Sequence, residues 1–409
     1  MTASAHLLRA DLHETDQGGV NELMGIEIIA DTGHTTKTTS ITPGILKHLS
    51  RLTDDTGLLE HACGSVPNPA EGYAAEDNAR GIIVCCLYRV VTGRKDADSL
   101  ADRYLQFLLY CRRADGRIHN AVRYDRAFED EVGSEDAHGR TAWALGYASR
   151  FPWHSGIYPA VESLRVGLWP HLEGLEAPRA IAYTLLSAAA VHGLVPVADI
   201  APSIIGDSKR VPSSEEWRRL TLRLGPRLAS CLSGIGRYPN KWITPRFTYD
   251  DARIVEALIR ASALINDADG TSWLEMGLEG LSLIWGEMWS SEHDCLILPG
   301  NHGLIEREMP EYPGKLIPEH YDQQPLDAAA LVDACLAAYG ATKQDLWLNR
   351  ARLALEWFYG RNLGRVALAD PESGACYDGL TPTGPNLNMG AESTLAHLMA
   401  RLALVPLPG

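Results

Sequence analysis

From position 42 onward the chain reads as a succession of helical periods separated by Gly and Pro, and two kinds of period alternate. One kind is apolar on nearly every face and opens on polar residues. These runs are 79–91 after Glu76-Asp77-Asn78, 141–148 after Glu135-Asp136, 180–191 after Pro178-Arg179, 254–265 after Asp250-Asp251, 328–339 after Gln323-Gln324-Pro325 and 393–404 after Gly390-Ala391-Glu392. The other kind carries one charged face: 43–55, 98–112, 156–172, 214–232, 271–289 and 343–359. A helix that is apolar all round needs cover on every side, and an amphipathic one supplies it while meeting water. Six of each in alternation predict an all-α fold, an (α/α)6 barrel with six inner and six outer helices occupying 41–409 as one catalytic domain. Residues 1–40 are polar and irregular, with one short apolar run at 24–30 that suits an edge strand, and form an N-terminal arm.

Loop lengths give this barrel a polarity. Connections leaving the inner helices are mostly short (92–96, 266–270, with 195–213 the exception), whereas those entering them are long: 56–75, 115–133, 233–249, 290–324 and 360–390. Long loops held by a rigid scaffold are where binding and chemistry concentrate, so the site is expected at the N-terminal ends of the inner helices. A short repeat supports the assignment. Asp77-Asn78-Ala79-Arg80 and Asp250-Asp251-Ala252-Arg253 share an Asp-x-Ala-Arg core at what read as matching helix starts.

Five of the six inner helices then present polar groups to one mouth: Glu76, Asp77 and Arg80; Glu135, Asp136, His138 and Arg140; Asp250, Asp251 and Arg253; Gln323, Gln324 and Asp327; and Glu392 with Ser393. The sixth offers Arg179. Carboxyl groups gathered around a ring suit glycosidic chemistry, in which one acid protonates the leaving oxygen and a second carboxylate activates water or attacks carbon. Helix N-termini depress a carboxylate pKa while a general acid needs a raised one, so the acid is expected beside another carboxylate or in an apolar pocket. One catalytic group is expected from Asp136 or Glu135 and the other from Glu392 or Asp251; Glu76, Asp77, Arg80, His138, Arg140, Asp250, Arg253, Gln323, Gln324 and Asp327, with Tyr73, Tyr124, Trp242 and Tyr321, are assigned to substrate binding. Aromatic rings in the entry loops offer stacking faces to sugars: Tyr73, Tyr124, Tyr238, Trp242, Phe247, Tyr312, Tyr321 and Tyr377. Trp143, Trp285 and Trp357 lie within helical runs and are assigned to the core.

Charge and composition narrow the partners. The formal net charge of −15 opposes a nucleic-acid partner, and no run of about 18 apolar residues offers a membrane span. The first residues lack a basic segment followed by an apolar one, so a cytoplasmic location is expected. The eight cysteines form no C-x-x-C pair and read as small apolar residues. His138 with Glu135 lacks a third ligand at metal spacing, and neither a Walker A loop nor a strand-anchored G-x-G-x-x-G is present, so no metal or cofactor is expected. Asp54-Asp55 resembles an acidic diphosphate motif but falls on an outer, amphipathic period. The pattern sets no oligomeric state.

The stretches Glu76-Asp77-Asn78-Ala79-Arg80-Gly81, 133–140, 323–328 and Asn388-Met389-Gly390-Ala391-Glu392-Ser393-Thr394 resemble those of bacterial proteins often labelled glycosyltransferases, which are similar in helix pattern to the six-hairpin glycosidase superfamily. The resemblance runs from about residue 45 to the end and implies an (α/α)6 barrel acting on a carbohydrate; it carries no catalytic pair across. The expected function is hydrolysis of a small glycoside or oligosaccharide by paired carboxylates, with inversion. A sugar epimerase or isomerase using His138, His397 and His302 to move a proton beside a carbonyl is the alternative, and a non-catalytic carbohydrate-binding protein the second.

Overall fold

The computed structural model describes residues 41–151, 153, 156–195, 211–233, 248–265, 268–300, 305–306, 316–317 and 321–405. The N-terminal arm, Tyr238, Trp242, Phe247, His302 and Tyr312 lie outside these residues. Twelve helices are described: α1 (Lys47–Leu52), α2 (Ala75–Thr92), α3 (Asp98–Cys111), α4 (Glu135–Ala148), α5 (Ile157–Leu172), α6 (Pro178–Val191), α7 (Ser214–Leu232), α8 (Ala252–Ser262), α9 (Ala268–Met288), α10 (Pro325–Thr342), α11 (Asp345–Glu356) and α12 (Ala391–Leu404). The even-numbered helices pack in sequence, and α12 packs back onto α2, so the inner ring closes. The odd-numbered helices lie outside it. This is an (α/α)6 barrel.

Burial follows the predicted division. Every α10 residue from Pro325 to Ala338 is buried, whereas α7 buries one stripe, Trp217, Leu220, Thr221, Leu224 and Leu228 among it. Alanine, glycine and serine let inner helices approach closely. A side chain on Gly139 would meet the Ala180 backbone, and one on Gly146 the Ser187 backbone, each at 2.8 Å, which is where α4 and α6 touch. Trp143, Trp285 and Trp357 are buried as expected. All eight cysteines are free and six are buried; Cys63 is exposed and Cys231 partly so.

Several helices begin earlier than their apolar runs. Glu76 and Asp77 lie inside the first turn of α2, and Glu135 and Asp136 open α4 behind a Ser134 cap that accepts the Ala137 N–H. Acidic residues are favoured there by the partial positive charge of the helix end. The Asp-x-Ala-Arg repeat is not in register: Asp77 is the third residue of α2, while Asp250 precedes α8 by two residues and holds a left-handed φ of 60°. The entry loops also contain short strands that the pattern did not predict. β1 (Leu59–Cys63), β2 (Val66–Ala74) and β3 (Ala121–Val122) form an antiparallel sheet, and β4–β5 (Trp289–Ser290, Cys295–Leu296), β6–β7 (Ile305–Glu306, Leu316–Ile317) and β8–β9 (Gly379–Thr381, Gly384–Asn386) are hairpins. Among the described residues no helix is long and apolar enough to cross a membrane.

Candidate active site

The helix starts and the entry loops meet at one end of the barrel, where a belt of hydrogen bonds runs from helix to helix. Glu392 at the start of α12 accepts from Arg80 of α2 at 2.9 Å, and the same Nη2 donates to Asp77 at 2.5 Å. Glu76 of α2 accepts from Arg140 of α4 at 2.7 Å. Arg140 donates to the Tyr183 hydroxyl of α6 at 2.9 Å, and that hydroxyl donates to Asp250 before α8. The Asp250 N–H donates to Asp327 of α10 at 2.8 Å. The belt thus touches all six inner helices. Tyr183 is its hub, and the one aromatic side chain in the apolar run 180–191 is the signal by which sequence reading could have found it.

The carboxyl groups differ in environment. Arg140 and Arg80 overcome the effect of burial on Glu76 and hold its carboxyl below the usual range. Burial pushes Asp77 up to about 7; Arg80 opposes this, and Glu392, Glu60 and Glu76 reinforce it. Glu60, on β1, was not among the expected residues. Its side chain is 40% exposed, yet partial burial followed by the charges of Glu76, Glu392 and Glu71 raises it to about 7. Burial pushes Asp327 well above the carboxylate range, with the Asp250 N–H opposing and the charges of Asp250 and Asp251 adding to the rise. Its Oδ2 is buried without a hydrogen-bond partner. Glu60 was overlooked because it lies in a loop strand and not at a helix start; scanning the entry loops for acids as well as aromatics would have found it.

Other expected residues are placed elsewhere. His138 is buried beneath the mouth: its Nε2 accepts the Ile118 N–H at 3.2 Å and its Nδ1 donates to the Ser134 carbonyl at 2.6 Å. Two helical residues separate it from Arg140 by about 200°, so one faces the belt and the other turns away. His397 is likewise engaged, by the Tyr359 hydroxyl at 2.8 Å and the Gly374 carbonyl at 3.1 Å, and burial lowers it to about 4. Glu135 caps the next inner helix, its Oε2 accepting the N–H groups of Glu176 and Ala177 at 2.7 and 2.6 Å. Buried Asp251 accepts from Thr248 N–H at 2.8 Å and from Arg179 at 3.1 Å, which secures the turn into α8. Arg253 points below the mouth, to Glu256 at 2.7 Å and Asp333 at 2.6 Å. Gln323 braces the loops, its Oε1 accepting from Leu298 N–H at 3.1 Å and Trp357 Nε1 at 3.2 Å, and Gln324 is the half-buried N-cap residue of α10. Ser393 donates to Asp378 and to the Cys376 carbonyl.

Among the aromatic residues, Tyr73 is buried with its hydroxyl on Asp54 at 2.6 Å, and Tyr321 and Tyr377 pack partly into the core. Tyr124 is exposed. Tyr249, which immediately precedes Asp250 and was not among the expected residues, lies over the Arg179 guanidinium at 4.1 Å, and its hydroxyl donates to Asp136 at 2.9 Å. Asp136 itself is half-buried. The mouth therefore combines open carboxyl groups with a half-exposed aromatic ring.

No protein-family model and no curated protein sequence matches the chain. Solved structures match it in fold. A sugar epimerase from a ruminal bacterium superposes with a TM-score of 0.62 at 13% identity, covering 89% of this chain and 96% of that one. The cellobiose 2-epimerase of Bacillus thermoamylovorans gives 0.61 at 12%, covering 88% and 96%. An α-1,6-mannanase of Salegentibacter, in complex with an α-1,6-mannotetraose and inactivated by replacing two consecutive aspartates with alanine, gives 0.55 at 11%, covering 92% and 99%. The chain has the six-hairpin fold these sugar-acting enzymes share.

Proposed function

We propose that the protein is a carbohydrate-active enzyme that hydrolyses a glycosidic bond with carboxyl groups of the mouth. Glu60, raised to about 7 and flanked by Glu76 and Glu392, is suited to hold a proton at neutral pH and deliver it to a leaving oxygen. Asp136, half-buried under the Tyr249 hydroxyl on α4, is assigned to activating water, with Glu392 keeping Glu60 protonated. The observation that carries this reading is the cluster of Glu60, Glu76, Asp77 and Glu392 around Arg80. The mannanase that loses activity with two adjacent aspartates is in keeping with carboxylate chemistry on this fold.

Two of the three histidines expected as proton carriers for the epimerase alternative, His138 and His397, have both ring nitrogens committed to groups of the scaffold, which favours the hydrolase reading; the third, His302, lies outside the described residues. A panel of oligosaccharides incubated with the wild type, with a parallel incubation of reducing sugars in heavy water, tests the choice. Release of reducing ends without deuterium at the carbon beside the carbonyl is the expected result. Deuterium incorporation without cleavage overturns it. Proton NMR of the first-formed anomer is expected to show inversion.

A further inference from the structure

Of the six large hydrophobic side chains exposed among the described residues, three lie together: Tyr110, Tyr124 and Phe128, at 45%, 55% and 38% exposure. Tyr110 closes α3, which runs antiparallel to α2, so this cluster belongs to the same end of the barrel as the mouth. Tyr110 stacks on Phe128 at 5.0 Å, and Phe128 stacks on His119 at 4.0 Å. Tyr124 lies nearly parallel to buried Tyr73 at 6.2 Å, which leaves its outer face open.

The loop that presents these rings is held tightly. Arg126, with a φ of 69°, closes a turn by donating its N–H to the Arg123 carbonyl at 2.8 Å, and Arg123 donates to the Ala127 carbonyl at 2.9 Å. Asp130 Oδ2 accepts the N–H groups of Asn120 and Ala121 at 2.6 and 3.1 Å, and the Tyr110 hydroxyl donates to the Arg126 carbonyl at 2.5 Å. The same loop anchors the mouth: the Asn120 carbonyl and side-chain oxygen accept the N–H groups of Ala75 and Glu76 at 2.9 and 3.1 Å. Tyr124 is four residues from Asn120, so it lies within about 14 Å of the residue that holds the backbone of Glu76.

We infer that Tyr124 and Tyr110, the latter backed by Phe128 stacked between it and His119, form a stacking shelf for the outer units of an extended neutral oligosaccharide whose end enters the mouth. The inference rests on the reading that the mouth takes a carbohydrate, and it names the substrate as a chain rather than a single sugar. Rigid rings with open faces stack on the apolar faces of pyranoses at little cost in conformational entropy. Exposed ion pairs sit between and beside the rings, Arg123 with Asp125 at 2.8 Å and Arg126 with Asp55 at 3.2 Å, and offer hydrogen bonds to hydroxyl groups. A protein partner would require a continuous apolar patch, which these charges interrupt.

The test is affinity electrophoresis of the full chain in native gels containing soluble mannan, glucan, xylan or galactan, comparing wild type, Tyr124→Ala and Tyr110→Ala. Retardation by at least one polymer, weakened about threefold to tenfold in Tyr124→Ala at an unchanged melting temperature, is expected. No retardation by any polymer, or retardation indifferent to both substitutions, overturns the shelf. So does concentration-dependent self-association that the substitutions abolish. Retardation without hydrolysis leaves the shelf standing and removes the hydrolase reading, whereas hydrolysis without retardation does the reverse.

Discussion

Two layers of charge cross the barrel, and they differ in how far they open to solvent. Below the mouth, Arg253 and Arg260 face Glu256 and Asp333 at 2.6–2.7 Å, and Arg253 also lies 3.4 Å from Asp250 and against the Trp143 ring at 4.9 Å. Around Arg80 and Arg140 stand Glu60, Glu76, Asp77 and Glu392, with Asp250 3.5 Å from Arg140. The side chains of the lower layer are all buried and hold helices in place, whereas those of Glu60 and Glu392 are 40% and 39% exposed. Carboxyl groups gathered together raise one another's pKa, and a raised pKa is what a general acid requires. The same residue types brace helices in one layer and border the open mouth in the other, and exposure separates the two.

The largest effects should separate the layers. Glu60→Gln is expected to lower kcat by about 10²–10⁴-fold on the oligosaccharide that the panel identifies, with little change in melting temperature. Equal activity would remove Glu60 from the chemistry. Arg253→Met is expected to do the converse in kind, destabilising the fold by about 3–5 kcal/mol in urea unfolding because two buried carboxylates lose their partner. A stable Arg253→Met protein would show that the lower layer is not the scaffold described.

Smaller effects sharpen the comparison. Tyr183→Phe removes the hub between Arg140 and Asp250, and about 1.5–3 kcal/mol of stability is expected to go with it, again read by urea unfolding. The pH dependence has a definite sign. Glu60 must be protonated to act as an acid, so kcat/KM is expected to fall as pH rises through about 7. Glu392→Gln removes a negative neighbour, so this alkaline limb should move to lower pH; a limb that stays in place would dissociate Glu392 from Glu60. Stability should also decline as pH rises from the ordinary carboxylate range through about 7, because the folded state there binds more protons at Glu60 and Asp77 than the unfolded chain. Asp77→Asn should flatten that decline. His138→Gln should leave the pH profile of activity unchanged, and a profile that shifts would return His138 to the site.

How much of this was legible in the sequence differs by feature. The apolar runs around 180–191 and 328–339 announced buried helices, and the long loops entering them announced the mouth, because burial imposes a periodicity that neighbouring residues record. Glu135, Asp136 and His138 were indistinguishable at that level, being three polar residues within one turn. In the structure Glu135 caps α6, Asp136 meets Tyr249, and His138 turns away to Ile118. Each outcome depends on a residue brought close by the ring closure, not by the local chain.

The Asp-x-Ala-Arg repeat shows the division most plainly. Its two copies read alike, yet Arg80 reaches across the mouth to Glu392 and Arg253 descends to Glu256 and Asp333. The sequence by itself determined the two rings of helices and the end at which they open, since hydrophobic periodicity and loop length are properties of contiguous segments. Only the tertiary structure decided which acids are capped, which are paired and which keep a proton. Those states depend on burial and on charges contributed by partners 64 residues away for Glu76 and 312 for Glu392, and no local pattern encodes them.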